Sequence, residues 1–487
     1  MFETFKNLKR FQQVEYVFLT LIAFFIPISW RLTTYAMIGL SVATILKGIF
    51  EEGFKINKLQ YKNKTAYFLF IVFWIIYAIS FLYSENTAEA RIQIGRKLSF
   101  LLFSLFFLCS DLSYLNRERV KNIIYFFIFG IFTLFAINLF WAFFDLLFND
   151  NEIDRLTSPR KFFKTNEILF PYVHRGYFSM MSCFGFVFCL NELLNSKEKN
   201  IKIFNLISAI FLILIPFFIT SRAGILCTII ILFLTWIWLT FIQKKIKIGL
   251  ITGCAAIVIL TVGYFSFPKS IERFTKTVDN IKEGKGDCRL TIRNANRHVM
   301  YNNYAFGVGT GDRNDETVKS YERYKDSIIA KITNVETPDI LLDSIYAKFD
   351  NSFTDEVSSY IDSIAEVQNA DYSILKKYTP EYQTIKHCIK HELNAHNQFN
   401  DTIIAVGILG LIILLSFYIL PIYIWIKNRT FDIIFFSFLL IFVFNSLFES
   451  IFERQMGIMF FVFFYFLLFH VNFCQQTTDN SQQTLSN

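Results

Sequence analysis

The chain has 487 residues, of which 54% are apolar, 18% aromatic and only 18% charged, with 61 phenylalanines and a mean hydropathy of +0.40. Soluble proteins carry about 25% charged residues, and barrel strands alternate and dilute their hydrophobicity. The composition therefore excludes soluble, disordered and disulfide-rich secreted classes and argues against an outer-membrane barrel. The net charge of +8 is mainly an orientation signal, since Lys and Arg gather in cytoplasmic connections, and no basic soluble domain is present to bind nucleic acid.

In chain order, twelve apolar runs come near the length that crosses a bilayer, at 14–30, 33–50, 65–83, 97–110, 121–147, 173–193, 203–220, 223–242, 247–267, 401–426, 430–448 and 456–474. The expected fold is an all-α polytopic membrane protein. The first run contains Pro27 and lacks a small-residue cleavage site, so it reads as a retained helix and not a signal peptide. Basic clusters at Lys55, Lys58, Lys62 and Lys64, at Arg117, Arg119 and Lys121, at Lys197, Lys199 and Lys202, and at Lys244, Lys245 and Lys247 recur in alternate connections. That pattern predicts both termini in the cytoplasm.

The chain then divides into residues 1–267 with nine membrane helices, a large outer loop at 268–400, three more helices at 401–474, and a polar tail at 475–487 expected to be disordered. Residues 312–371 hold six basic and fourteen acidic residues, which predicts a solvated cap. Its stretches Asp315 to Lys331 and Asp355 to Lys377 lack Gly and Pro, so they read as helical. The middles of the twelve runs hold almost no ionisable residue, and Asp145, Glu192 and His470 lie near run ends. Ion-coupled transport relies on charges at mid-depth, so chemistry is sought on the outer rim.

Six of the eight cysteines lie in or beside apolar runs and read as small hydrophobes. Cys288 and Cys388 fall in the loop and make a candidate disulfide. No Cys/His spacing suggests zinc, and no metal or other cofactor is expected.

The chemistry-bearing segment is His391-Glu-Leu-Asn-Ala-His-Asn-Gln-Phe-Asn-Asp401, which ends where an apolar run begins. It holds His396 at the water–membrane boundary, where an imidazole can accept a proton near neutral pH. His396-Asn397 is followed by nine residues and then by Gly407 and Gly410, whose spacing suits close helix packing. Thr220-Ser-Arg-Ala-Gly224 lies between two runs on the outer side, and Gly307-Val-Gly-Thr-Gly-Asp312 forms a glycine-rich turn eighteen residues after Arg289.

Together these segments resemble the superfamily of O-antigen ligases and O-antigen polymerases, with its His-Asn, nine residues, Gly-x-x-Gly signature after a large periplasmic loop. The sequence departs from the family at Arg293, where Trp is usual, and in its long acidic insertion. The resemblance implies a GT-C type, metal-independent glycosyltransferase of the bacterial inner membrane that faces the periplasm. The implied partners are an undecaprenyl-diphosphate-linked glycan donor and a lipid A–core or other glycan acceptor. It also implies His396 as general base, with Arg222 and Arg289 holding the diphosphate. Arg96, Lys97, His174, Tyr177, Asn397, Glu449 and Arg454 are further substrate-binding candidates on the same rim, and Glu449 and Arg454 are expected to pair. An O-antigen polymerase or a protein O-oligosaccharyltransferase would use the same donor. A polysaccharide transporter without enzymatic activity is the second alternative.

Overall fold

A computed structural model describes residues 8–52, 64–148, 173–219, 221–266, 288–332, 337–349, 355–368 and 371–474, with residues 275 and 335. Thr220, the side chain of Cys288 with its candidate disulfide, and the tail at 475–487 lie outside the described residues. Among the described residues there is no strand.

The first nine helices are α1 (Arg10–Phe25), α2 (Trp30–Lys47), α3 (Thr65–Ser80), α4 (Thr87–Cys109), α5 (Arg117–Phe148), α6 (Arg175–Asn195), α7 (Lys199–Phe218), α8 (Arg222–Ile237) and α9 (Ile246–Ser266). An extramembrane group follows: α10 (Cys288–Asn302), α11 (Arg313–Ile329), α12 (Pro338–Phe349), α13 (Asp355–Gln368) and α14 (Ser373–Lys390). The chain then returns through α15 (Gln398–Asn428), α16 (Ile433–Ser446) and α17 (Gln455–Phe469).

Ten of these helices are long and apolar enough to cross a membrane, where the sequence predicts twelve. Four of the ten are lengthened by a terminal 3-10 or π turn, α2 to Phe50, α3 to Tyr83, α8 to Ile242 and α17 to Phe473, whereas α1 and α16 have 16 and 14 residues. At about 1.5 Å per residue these helical segments alone are shorter than a bilayer core of about 30 Å. The largest boundary shift is at α4, which begins ten residues before the expected run. Asn86 starts it by accepting the Glu89 amide N–H at 3.1 Å, a side-chain cap that an apolar-run reading misses. Lys97 consequently sits in the middle of a helix, which corrects the expectation of almost charge-free helix interiors.

α17 is the pillar of the bundle. Its apolar stretch is buried along its whole length, as expected of a helix that is hydrophobic all round. Phe461 of α17 stacks on Phe438 of α16, and α3 packs beside it through Phe70, stacked on Phe417 of α15 at 3.8 Å. Offset aromatic pairs of this kind give rigid packing, and they account for part of the phenylalanine content.

The extramembrane helices have a separate small core that includes Ile292, Tyr321, Ile328, Leu342, Ile345, Leu375 and Ile385. The stretch expected to be helical from Asp315 is α11, and the stretch from Asp355 divides between α13 and α14.

Backbone contacts join this group to the membrane helices. α15 is broken at Gly407, where φ is 71° and ψ −165°, a region essentially confined to glycine. The break exposes backbone groups that the 303–309 turn takes up. Val308 and Gly309 donate to the carbonyls of Ile404 and Ala405 at 2.7 and 3.1 Å, and Ile408 donates to Tyr304 O at 2.7 Å. Gly307 also has a positive φ of 74°, and a Cβ there would lie 2.5 Å from the Ala405 carbonyl. Gly407 is thus a docking point for the turn, not the packing glycine of a continuous helix. Beyond it, Thr310 and Gly311 donate their amides to Ser80 and Ser84, and Asp312 accepts the amides of Glu85 and Asn86. The start of α11 is thereby fixed over the α3–α4 corner.

Candidate active site

His396 stands between α14 and α15 with a φ of 46°. Its amide donates to Asn394 Oδ1 at 3.1 Å, a local bond that supports the left-handed turn. Asn397 caps α15: its Oδ1 accepts the amides of Phe399 and Asn400, both at 3.0 Å. Its Nδ2 donates to the Leu447 carbonyl at 3.1 Å. The amide of Asn397 is therefore used at both ends within the protein. It ties the head of α15 to the α16–α17 turn, which brings Glu449 beside His396.

The Glu449 carboxylate joins two of the proposed catalytic residues. Its Oε2 lies 3.5 Å from His396 Nδ1, and its Oε1 lies 4.0 Å from Arg289 Nη2. The Arg289 guanidinium also rests over the Phe448 ring at 5.2 Å. Burial alone would lower the His396 pKa, but Glu449 and then Asp401 outweigh it, so the imidazole is raised above its ordinary 6.5. Burial alone would raise Glu449, but His396, His174 and Arg289 hold it below its ordinary 4.5.

His174 faces the same carboxylate with the opposite result. It caps α6, accepting the Gly176 amide at 3.3 Å. Burial pushes its pKa down to about 4, with Arg454, Arg175 and His396 adding to the fall against Glu449. Two histidines near one carboxylate are thus separated in pKa by their surroundings.

His396 and His174 line a cavity of about 830 Å³ together with Arg96, Tyr177, Arg313, Glu453 and Arg454. The heads of α6 and α17 open onto it through their caps, His174 and Arg454. Helix starts carry partial positive charge and free amide donors. With Arg96 and Arg454 they make this end of the bundle suited to an anion.

Beneath the cavity lies a buried ion network that the sequence reading missed. Arg313 bridges Asp401 Oδ1 and Glu453 Oε2, both at 2.9 Å, and Lys97 Nζ reaches Glu453 Oε1 at 3.2 Å. All four side chains are at most 6% exposed. Ser450 donates to Asp401, and Phe452 donates its amide to Gln398 Oε1 at 2.6 Å. Two cations face two carboxylates, so the charges balance. The signal available in the sequence was Asp401 and Glu453 themselves, carboxylates at the edges of apolar runs, which call for partners.

Lys97 is therefore occupied by Glu453 and Gln93 beneath the cavity, and does not stand on the rim as expected. Tyr177 lines the cavity but its hydroxyl donates to the Ile451 carbonyl at 3.2 Å. Glu449 holds His396 and Arg289 instead of the expected Arg454, which is exposed. Arg96 is half-exposed, 3.9 Å from Glu89. Arg222 is exposed at the head of α8, whose Gly224 packs against Ser179 of α6. It shares the rim with His174 but is not part of the cavity lining.

The fold and site define a helical membrane protein with a buried-charge platform and a histidine–carboxylate pair at one end of the bundle. No protein-family model matches the chain, and no curated protein matches it.

Proposed function

We propose that the protein is a glycosyltransferase of the O-antigen ligase type. In this reading it moves a glycan from undecaprenyl diphosphate to a lipid A–core acceptor on the periplasmic face of the bacterial inner membrane. The observation that carries the reading is the Glu449 carboxylate placed between His396 and Arg289, beside a cavity on which Arg96 and Arg454 open. His396 Nδ1 faces Glu449, which leaves Nε2 to take the proton of an acceptor hydroxyl. The hydroxyl oxygen attacks the anomeric carbon, and the bond from that carbon to the diphosphate oxygen breaks. Its electron pair stays on the diphosphate, and the anomeric centre inverts. Diphosphate leaves readily, so no strong acid is needed. Arg289, with Arg222 on the rim, offsets its charge through planar donor pairs.

The test is transfer by the purified chain supplied with lipid-linked donor and lipid A–core acceptor. His396→Ala is expected to lower turnover at least about 100-fold. Arg289→Gln is expected to cost more than Arg222→Gln, because Arg289 stands beside the Glu449 that faces His396. Full transfer by His396→Ala would overturn the mechanism. In a deletion strain, polymerised glycan should accumulate on the carrier lipid; short single-unit glycans on lipopolysaccharide would point to a polymerase instead.

A further inference from the structure

A second cavity of about 470 Å³ lies on the other side of the His396–Asn397 segment, between α10 and the head of α15. Arg293, Arg297, Tyr301, Tyr304, Asn400 and Ile403 are among the residues that line it. On α10, Arg289, Arg293, Arg297 and Tyr301 recur every four residues and so form one row along the helix. The opposite face, with Ile292, Ala295, Asn296 and Val299, is buried. The row begins at the reacting centre, where Arg289 meets Glu449, and runs into the second cavity.

Like charges four residues apart oppose helix formation. Glu449 faces Arg289, but among the described residues no carboxylate pairs with Arg293 or Arg297. Arg297 lies over the Tyr301 ring at 5.7 Å. Tyr301 and Tyr304 are 67% and 60% exposed, so two aromatic faces stand beside two uncompensated guanidinium groups. The Nδ2 of Asn400 is buried without a hydrogen-bond partner, which leaves a further donor unsatisfied in the cavity wall. Ile403 and Ile408, on α15, close the side towards the apolar helices.

We infer that this cavity is a second binding subsite, for a negatively charged saccharide. Arg293 and Arg297 receive the charge through paired donors. Tyr301 and Tyr304 receive the sugar ring on their faces. The row delivers that saccharide to Arg289 and His396 from the side opposite the larger cavity. The role in transfer rests on the reading under Proposed function, whereas occupancy does not, because the subsite is tested without any reaction.

The full chain in neutral phosphatidylcholine nanodiscs is titrated with glucose 1-phosphate, glucuronate and glucose, and binding is followed by ligand-observed NMR. Both anionic sugars are expected to bind at least about tenfold more tightly than glucose, the factor that one charge-assisted hydrogen bond carries. Binding should weaken as salt is added. Arg293→Gln/Arg297→Gln should abolish the preference. Both positions are exposed and their like charges oppose the helix, so the thermal midpoint of the double variant should be no lower than the parent's, which verifies its fold. Tyr301→Ala/Tyr304→Ala should weaken all three sugars. Equal binding of glucose, or an unchanged preference in the arginine variant, would overturn the subsite. Retained anion preference in a protein that transfers nothing would overturn only the transferase reading. If phosphate alone competes as well as glucose 1-phosphate, the site is for phosphate and the saccharide part of the inference falls.

Discussion

At the scale of single residues, the Glu449–His396 pair sets a pH window. The pKa of His396 is raised, so its contribution to stability is complete below 6.5 and is lost as pH rises through the folded value. The pKa of Glu449 is lowered, so its contribution is complete above 4.5 and is lost as pH falls through its folded value. As a base His396 must be neutral, so transfer should rise with pH along a limb centred above 6.5. Glu449→Gln removes the partner that raises the imidazole, and the limb should move to lower pH in a kcat profile. An unmoved limb would show that another group sets it. His396 and Arg289 were both legible from the sequence as candidate site residues. Their joint contact with Glu449 was not, because Asn397 makes it by bonding to the Leu447 carbonyl 50 positions away.

Among the helices, the break in α15 and the buried network determine how the extramembrane group is seated. The spacing from His396 to Gly407 was visible as a motif, but its physical reason was not. Eleven residues place the docking glycine three turns below the imidazole, where its freed backbone meets the turn at Gly307. Gly407→Ala puts a Cβ 2.3 Å from the Ala305 carbonyl oxygen, on a backbone with φ of 71°. Backbone strain alone costs about 1–3 kcal/mol, and the clash adds to it. The variant should melt earlier and be cut by protease within 303–312, and an unchanged melting curve would contradict the docking role. The network makes a second prediction. Lys97→Met leaves Glu453 short of one buried partner, and removing one member of a buried pair costs about 3–5 kcal/mol. Lys97→Met/Glu453→Gln should recover part of that loss in thermal unfolding; additive losses would mean the pair is not coupled. These partners are 356 positions apart, so no local pattern could announce them, whereas most membrane-helix positions followed from hydropathy, the capped start of α4 excepted.

Across the whole molecule, the two ends of the bundle differ in chemistry. One end holds the capped starts of α6, α8, α15 and α17, both cavities and the extramembrane helices. The other holds the Glu15–Lys47 and Lys121–Glu192 pairs and the α6–α7 and α8–α9 connections, with Lys197 in one, just before Lys199 at the start of α7, and Lys244 and Lys245 in the other. Because positive connections favour the cytoplasmic side, we propose that the site end faces outward. That orientation suits the proposed chemistry, since a lipid-linked glycan displayed on the outer leaflet could reach His396 without crossing the bilayer. It also separates the two ends by reagent access. Ser363 on α13 and Lys245 beyond α8 are both exposed, and Cys254 must first be replaced because it is exposed as well. In that background Ser363→Cys should react with a membrane-impermeant maleimide in intact spheroplasts. Lys245→Cys should react only after permeabilisation. The reverse pattern would place His396 in the cytoplasm, and a donor on the outer leaflet could then not be its substrate.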